Sequence, residues 1–491
     1  MRQSSLLHLF WFSIFNSVLA TSLSAQSSFK DVTTEAGLEV PNAAVCWADL
    51  NRDGWPDLCA AGSVWKNNQG QGFTRIADGM GCCVAADFDN DGLVDLFSWS
   101  NMKLYRNVDG KQWLPFELPE LPKTTSRGAC WGDFNGDGFV DLYIGGYEDW
   151  GSQTTWPLLI LINQQGKRFE IKRNEVKFRT RGVTACDFDG DGDLDVYASN
   201  YRLQPNLLWV NNGQAEFEDR AAELGVVATS GEFKGGHSIG AAWGDFNNDG
   251  QLDLFAGNFA HVDARGDQPK SRFLQNLGPE QNFRFEDKGT CGVYYQESYA
   301  TPAVADFDND GWLDLFFTTV YGTASFGRPN HPVMFRNLGQ FSMDDVSDSA
   351  GLSKLPATYQ AAWADYDGDG DLDLVTAGKL FQNQGNEHAW IRVRLQGDGK
   401  IVNRSAIGSQ VRIQVNGQTL CRQVEAGTGE GNQNDLTLHF GLGDIQEPVN
   451  LEIRWPHQAN VQQVSDVPVN QEVKIDFQPS SKGKAQEPGS G

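Results

Sequence analysis

The sequence predicts an all-β fold, a seven-bladed β-propeller followed by a small β-rich C-terminal domain. Three observations predict it. A nine-residue acidic pattern, D-x-[DN]-x-D-G-x-x-D, recurs seven times at steps of 38 to 61 residues. Four strand-like pieces accompany each copy, as in the blades of a propeller. The last repeat lacks its fourth strand, and the N-terminal segment holds one that fits.

Taken in chain order, residues 1–25 read as a secretory signal. Arg2 precedes an apolar run from Leu6 to Ala20, and small residues lie between Ala20 and Ala25. Secretion is therefore expected. No later stretch approaches the roughly 18 apolar residues of a membrane span, so none is expected after signal cleavage.

The propeller is expected over residues 29–385. Its acidic patterns begin at Asp49, Asp87, Asp133, Asp187, Asp245, Asp306 and Asp365. The third position holds Asn51, Asp89, Asn135, Asp189, Asn247, Asp308 and Asp367. The fifth holds Asp53, Asp91, Asp137, Asp191, Asp249, Asp310 and Asp369, always followed by Gly. The ninth holds Asp57, Asp95, Asp141, Asp195, Asp253, Asp314 and Asp373. Alternate side chains of a tight loop converge on one point, and the glycine permits the sharp return. The seventh residue then offers its backbone carbonyl: Trp55, Leu93, Phe139, Asp193, Gln251, Trp312 and Asp371. Such an oxygen-only set suits Ca2+, which takes six to eight oxygens in flexible geometry, better than Mg2+. Up to seven calcium ions are expected, one per blade.

Two checks support the ion. An EF-hand needs Glu at position 12, where this chain has Ala60, Ser98, Ile144, Ala198, Ala256, Phe317 and Thr376. The flanks are strand-like instead. Position 2 is always Leu, Phe or Tyr and position 10 always Leu or Val, which anchors both sides of the loop in a core. The chain carries 64 acidic and 39 basic residues, a net of −25. Twenty-seven aspartates lie in the seven patterns, so the remainder is nearly neutral. Unscreened carboxylates this close together repel one another. The same charge argues against nucleic acid as a partner.

The repeats close on themselves. After Lys379-Leu380-Phe381-Gln382-Asn383 the chain leaves the propeller, and Phe29-Lys30-Asp31-Val32 supplies the missing fourth strand of blade 7. Closure removes a free sheet edge. Trp47, Trp131, Trp243 and Trp363 precede alternate acidic loops, whereas Ala85, Ala185 and Val304 precede the others. This alternation reads as large-against-small packing around the ring.

Strand alternation puts the acidic loops on one face and the long insertions on the other. That second face is the candidate ligand face, since varied loops on a rigid scaffold carry recognition. Its candidate residues are Trp150, His237, His261, Tyr295 and His331, among further aromatics such as Tyr147, Tyr299 and Tyr321.

The repeats resemble the FG-GAP and VCBS repeats of integrin α-subunits and secreted bacterial proteins. Residues 386–478 look like an ASPIC/UnbV domain, through Asn403-Arg404-Ser405-Ala406-Ile407-Gly408, Leu438-His439-Phe440-Gly441-Leu442-Gly443 and Arg454-Trp455-Pro456. His457-Gln458 departs from the Ser-Gly or Asp-Gly usual after Trp-Pro. The combination resembles the cartilage acidic protein family and its bacterial relatives. The resemblance implies calcium binding and an extracytoplasmic role, and no reaction. The polar, glycine-rich stretch Gly427–Asp435 reads as a surface loop, and residues 479–491 as a disordered tail.

The eight cysteines are compatible with disulfides in an exported chain, yet several fall in apparent core strands, where Cys serves as a small apolar residue. No nucleophile elbow or cofactor fingerprint appears. The expected function is calcium-stabilised recognition of an extracellular protein or glycan. The alternative is an enzyme centred on the histidine- and aromatic-rich loops.

Overall fold

The computed structural model describes residues 27–173, 175–263 and 266–479. The expected signal segment 1–25 and the tail from 480 lie outside them. Seven four-stranded antiparallel sheets follow one another along the chain. Their first strands are Val45–Ala48, Cys83–Ala86, Ala129–Gly132, Thr180–Cys186, Ser238–Gly244, Tyr299–Ala305 and Ala361–Ala364. Each packs beside the next, and the seventh beside the first. The fold is a seven-bladed β-propeller. Blade 7 takes its outer strand from the N-terminus, with Phe29 paired to Asn383 and Asp31 to Phe381.

These strands form because their residues suit a sheet buried on both faces. Every residue of the seven first strands is buried except Val304. The four tryptophans pack as the alternation predicts. Trp243 lies flat on Phe188 of the preceding blade at 6.2 Å, and Trp131 meets Phe97 edge-on at 6.2 Å.

Every third strand ends in asparagine: Asn67, Asn107, Asn163, Asn211, Asn276, Asn337 and Asn383. Each side-chain amide donates to the carbonyl of the second loop residue of the preceding blade, at 2.7–2.9 Å. The first of these bonds, Asn67 to Tyr366, joins blade 1 to blade 7 and makes the series circular.

The C-terminal domain contains two sheets. In one, Ala389–Gln396 pairs antiparallel with Leu438–Gly443 and parallel with Gln471–Asp476. The other runs Gln418–Gln423, Gln410–Val415, Val449–Arg454, Val461–Val467. One buried apolar cluster extends from blades 2–4 into this domain, joining Trp131 and Leu161 to Ile413 and Ile453.

Gly427–Asp435 is not a surface loop. It enters the central channel and bonds to the first strands lining it. Gln433 exchanges backbone hydrogen bonds with Val45 and Trp47, while its side chain bonds both polar backbone atoms of Ala85. Trp131 N–H donates to Ala426, Gly429 N–H to Ala241, and Asp435 N–H to Trp363. The glycines are required by proximity. A Cβ on Gly427 would meet the Ala129 carbonyl at 2.4 Å, and one on Gly431 the Trp99 ring at 2.6 Å.

All eight cysteines are free thiols. Cys46 faces Cys59 across the first two strands of blade 1, with both buried.

Candidate metal centres

Each acidic loop connects the first and second strands of a blade. In all seven, the first aspartate accepts a hydrogen bond from the glycine N–H at position 6, at 2.7–3.1 Å. In all seven, the ninth-position aspartate accepts from the backbone N–H of the asparagine that ends the third strand, at 2.7–2.9 Å. In the sequence these asparagines stand at the turn after each third strand, where Asn is an ordinary turn residue and its inter-blade role is not visible. Their recurrence at the end of every third strand was the available signal.

This scaffold fixes both ends of the loop and leaves carboxylate oxygens pointing inward. In four loops, one oxygen from each of three aspartates lies within 4.8 Å of the others. The trios are Asp87/Asp89/Asp95, Asp187/Asp189/Asp191, Asp306/Asp308/Asp314 and Asp365/Asp367/Asp373. Asp91, Asp195, Asp310 and Asp369 stand outside their trios. The other three loops carry Asn51, Asn135 and Asn247, whose amides donate to Asp57, Asp137 and Asp249. The same amide turned over presents its oxygen instead.

The donors fit a hard divalent cation. Asp87 Oδ1, Asp187 Oδ1, Asp189 Oδ1, Asp306 Oδ1, Asp308 Oδ1 and Asp367 Oδ1 are buried without any hydrogen-bond donor, an arrangement that is costly unless a cation answers it. Burial, with neighbouring aspartates adding to it, pushes the carboxyls up: Asp87 and Asp187 to about 7 and Asp95 to about 9. Burial likewise raises Asp253 and Asp314 well above the usual range.

The C-terminal domain sits on this face and touches the first aspartate of every loop. Arg394 reaches Asp49 at 3.4 Å and Arg392 reaches Asp365 at 2.8 Å. The N–H groups of Cys421 and Gly441 donate to Asp245 and Asp306, both at 3.1 Å. Ser405 Oγ accepts from Asp87 N–H, and Gln423 Oε1 from Asp187 N–H. His457 Nε2 donates to the Asp133 carbonyl at 2.9 Å. In the channel, Arg181 donates twice to Glu430 Oε1, at 2.9 and 2.5 Å. Tyr147, Tyr201 and Tyr359 lie 5.2–5.5 Å from its guanidinium carbon.

Two matches agree with this layout. The FG-GAP-like repeat model matches residues 87–144, 187–256 and 306–376, each match opening on the first aspartate of an acidic loop. The ASPIC and UnbV model matches residues 399–483. The chain carries FG-GAP-like repeats and an ASPIC and UnbV domain. Human cartilage acidic protein 1 is 28% identical over 292 residues, covering 56% of this chain and 40% of that protein. A T-cell immunomodulatory protein homolog of Plasmodium yoelii yoelii is 24% identical over 359 residues, 68% of this chain and 44% of the relative. The aligned regions thus span less than half the length of these relatives. Among solved structures, an Agrocybe aegerita lectin recognising non-reducing terminal N-acetylglucosamine matches with a TM-score of 0.41 and 16% identity, covering 63% of this chain and 80% of that one.

On the opposite face of the FG-GAP-like propeller the candidate ligand residues divide. Trp150 is 60% exposed, with the Arg202 guanidinium 3.5 Å from its ring centre. Tyr295 donates to the Ala260 carbonyl at 2.8 Å. His261 Nδ1 lies 3.1 Å from the buried carboxylate of Glu297, which also holds Ser325. His331 sits 3.5 Å from the Tyr294 hydroxyl. His237 does not belong to the exposed set. It is buried between the rings of Tyr201 and His261, at 4.8 and 5.0 Å, immediately before the first strand of blade 5. Tyr147 and Tyr299 are buried as well. No helix among the described residues is long and apolar enough to cross a membrane.

Proposed function

We propose that the protein is a secreted recognition module whose propeller is held rigid by calcium and whose long-loop face binds an extracellular protein or glycan. One contrast carries the reading. The acidic loop is built seven times by the same two hydrogen bonds, whereas the loops opposite differ in length and chemistry from blade to blade. They include the short hairpins Glu148–Asp149/Thr154–Thr155 and Val262–Asp263/Gly266–Asp267. Repetition serves stability and variety serves specificity. The buried carboxylate oxygens without donors support calcium, and the expected signal segment supports secretion.

The test has two parts. Bound calcium is counted after equilibrium dialysis, and the protein is then screened against immobilised extracellular proteins and glycans in calcium and in chelator. Several calcium ions per chain and calcium-dependent retention are expected. Equal melting curves in millimolar calcium and in excess chelator would refute the reading.

A further inference from the structure

Where the C-terminal domain meets the propeller it encloses two spaces. One is a chamber of about 120 Å3 at the ends of the first strands of blades 5–7. The other is a cleft of about 430 Å3 over the acidic loops of blades 1 and 2. Asp435 and Thr437 line both, so the cleft adjoins the chamber.

The chamber is lined by Arg392, which pairs with Asp365, by Asp306 and Asp435, and by an arginine whose donors are not all used. Arg422, 8% exposed, lines it and donates from Nη1 to the Cys421 carbonyl, but its Nε and Nη2 find no acceptor. Asp245 and Asp306 are the acids that influence it most, yet neither hydrogen-bonds to it. A buried guanidinium with free donors matches a carboxylate in charge and in fork geometry. His439 donates from Nε2 to the Gly370 carbonyl and leaves Nδ1 unpartnered on the same wall. Glu425 also lines the space, and burial pushes its carboxyl up to about 8. At neutral pH it is therefore mostly a neutral donor. Trp243 and Trp363 add apolar surface, which suits an organic acid better than a bare inorganic ion. An apolar cavity of about 150 Å3 holds benzene, so the chamber admits a molecule of about five or six non-hydrogen atoms, the scale of a short hydroxy acid.

The cleft has the charge to admit such a molecule. Arg52, Arg394, Arg404 and Lys474 line it, and among the described residues Arg52, Arg404 and Lys474 make no ion pair or side-chain hydrogen bond. Five carboxylates oppose them, including Asp49 and Asp53 of loop 1 and Asp87 of loop 2. Divalent ions in these two loops would turn the balance positive.

We infer that the chamber binds a small carboxylate-bearing organic molecule anchored by Arg422, that the cationic cleft is its entrance, and that calcium in the adjoining loops is a condition of binding. The inference rests on the calcium loading proposed above. The test titrates the full-length protein with D-lactate, with propane-1,2-diol as the neutral control and sulfate as the inorganic one, in millimolar calcium and in chelator. Lactate is expected to bind only in calcium, and more tightly than propane-1,2-diol or sulfate. Arg422→Gln should weaken it about ten- to a hundredfold, the loss of one or two charge-assisted hydrogen bonds. The double substitution Arg404→Gln, Lys474→Gln at the exposed entrance should slow association severalfold, and it decides the matter if Arg422→Gln fails to fold. Lactate binding no better than propane-1,2-diol or sulfate, or unaffected by these substitutions, overturns the inference. Calcium binding without lactate binding overturns this inference alone, whereas no calcium binding overturns the earlier reading with it.

Discussion

At the scale of single residues, the acidic loop is a conflict between burial and charge. Its aspartates have carboxyls pushed up by burial and by one another, Asp57 and Asp245 to about 7 and Asp95 to about 9. A carboxyl raised on folding stabilises the protein while it is protonated, and that contribution is lost as pH rises through the folded value. In chelator, the melting temperature should therefore fall as pH rises from about 5 to 9. Calcium requires the ionised carboxylates, so its stabilising effect should grow over the same range. A melting temperature in chelator that rises toward pH 9 would contradict this. Asn337 offers a second measurement. Its amide bonds the carbonyls of Phe246 and Leu313, and its oxygen accepts from Gly339. Asn337→Ala leaves these buried groups unanswered and should cost about 2–4 kcal/mol, read from urea unfolding. A cost under about 0.5 kcal/mol would show that the asparagine bonds between blades contribute little to stability.

At the scale of elements, the strand Phe29–Asp31 has an importance out of proportion to its three residues. It hydrogen-bonds along Lys379–Asn383, and Phe29 packs 5.9 Å from Phe307 and 6.0 Å from Trp363. Deleting residues 29–38 exposes an unpaired edge in blade 7. Lower stability and concentration-dependent association are expected, visible by light scattering. A monomer of unchanged melting temperature would show that the closing strand is dispensable. The long loops should respond differently. Trp150→Ala removes a ring that is mostly in solvent, so stability should change by no more than about 0.5 kcal/mol. Its consequence belongs in ligand retention, once a ligand is in hand.

At the scale of the whole molecule, the two domains behave as a ring and its stopper. The C-terminal domain touches all seven first-position aspartates and sends Gly427–Asp435 down the channel. Whatever orders the acidic loops must then favour docking of the domain, and docking must favour the ordered loops, since such linkage is reciprocal. Calcium should protect the channel segment from proteolysis and hydrogen exchange. The ion pair Arg181–Glu430 tests the stopper itself. Both side chains are buried among three tyrosines, and removing one partner of such a pair costs about 3–5 kcal/mol. Glu430→Gln should lower stability on that scale, and accelerated exchange should be concentrated in Gly427–Asp435. Uniform exchange in the variant would separate the plug from the ion pair.

The sequence alone determined the number of blades, the position of every acidic loop and the strand that closes the ring. Those features depend on local chemistry: aspartates at alternate positions, a glycine where the chain must turn, apolar residues on either side. It also marked which loops vary. Only the tertiary structure decided what lies on top of the acidic loops. Gln433 and Glu430 look like solvent residues because their partners, Ala85 and Arg181, are about 250–350 positions away in the chain. His237 looked available because it follows a loop, and it is enclosed because Tyr201 and His261 reach it from the segments that follow the second strands of blades 4 and 5. The thiols stay unpaired, as Cys46 and Cys59 illustrate, where buried strands use them as small apolar side chains. Burial is a property of what else comes near, and the distant partners that bury a polar residue leave no mark beside it in the chain.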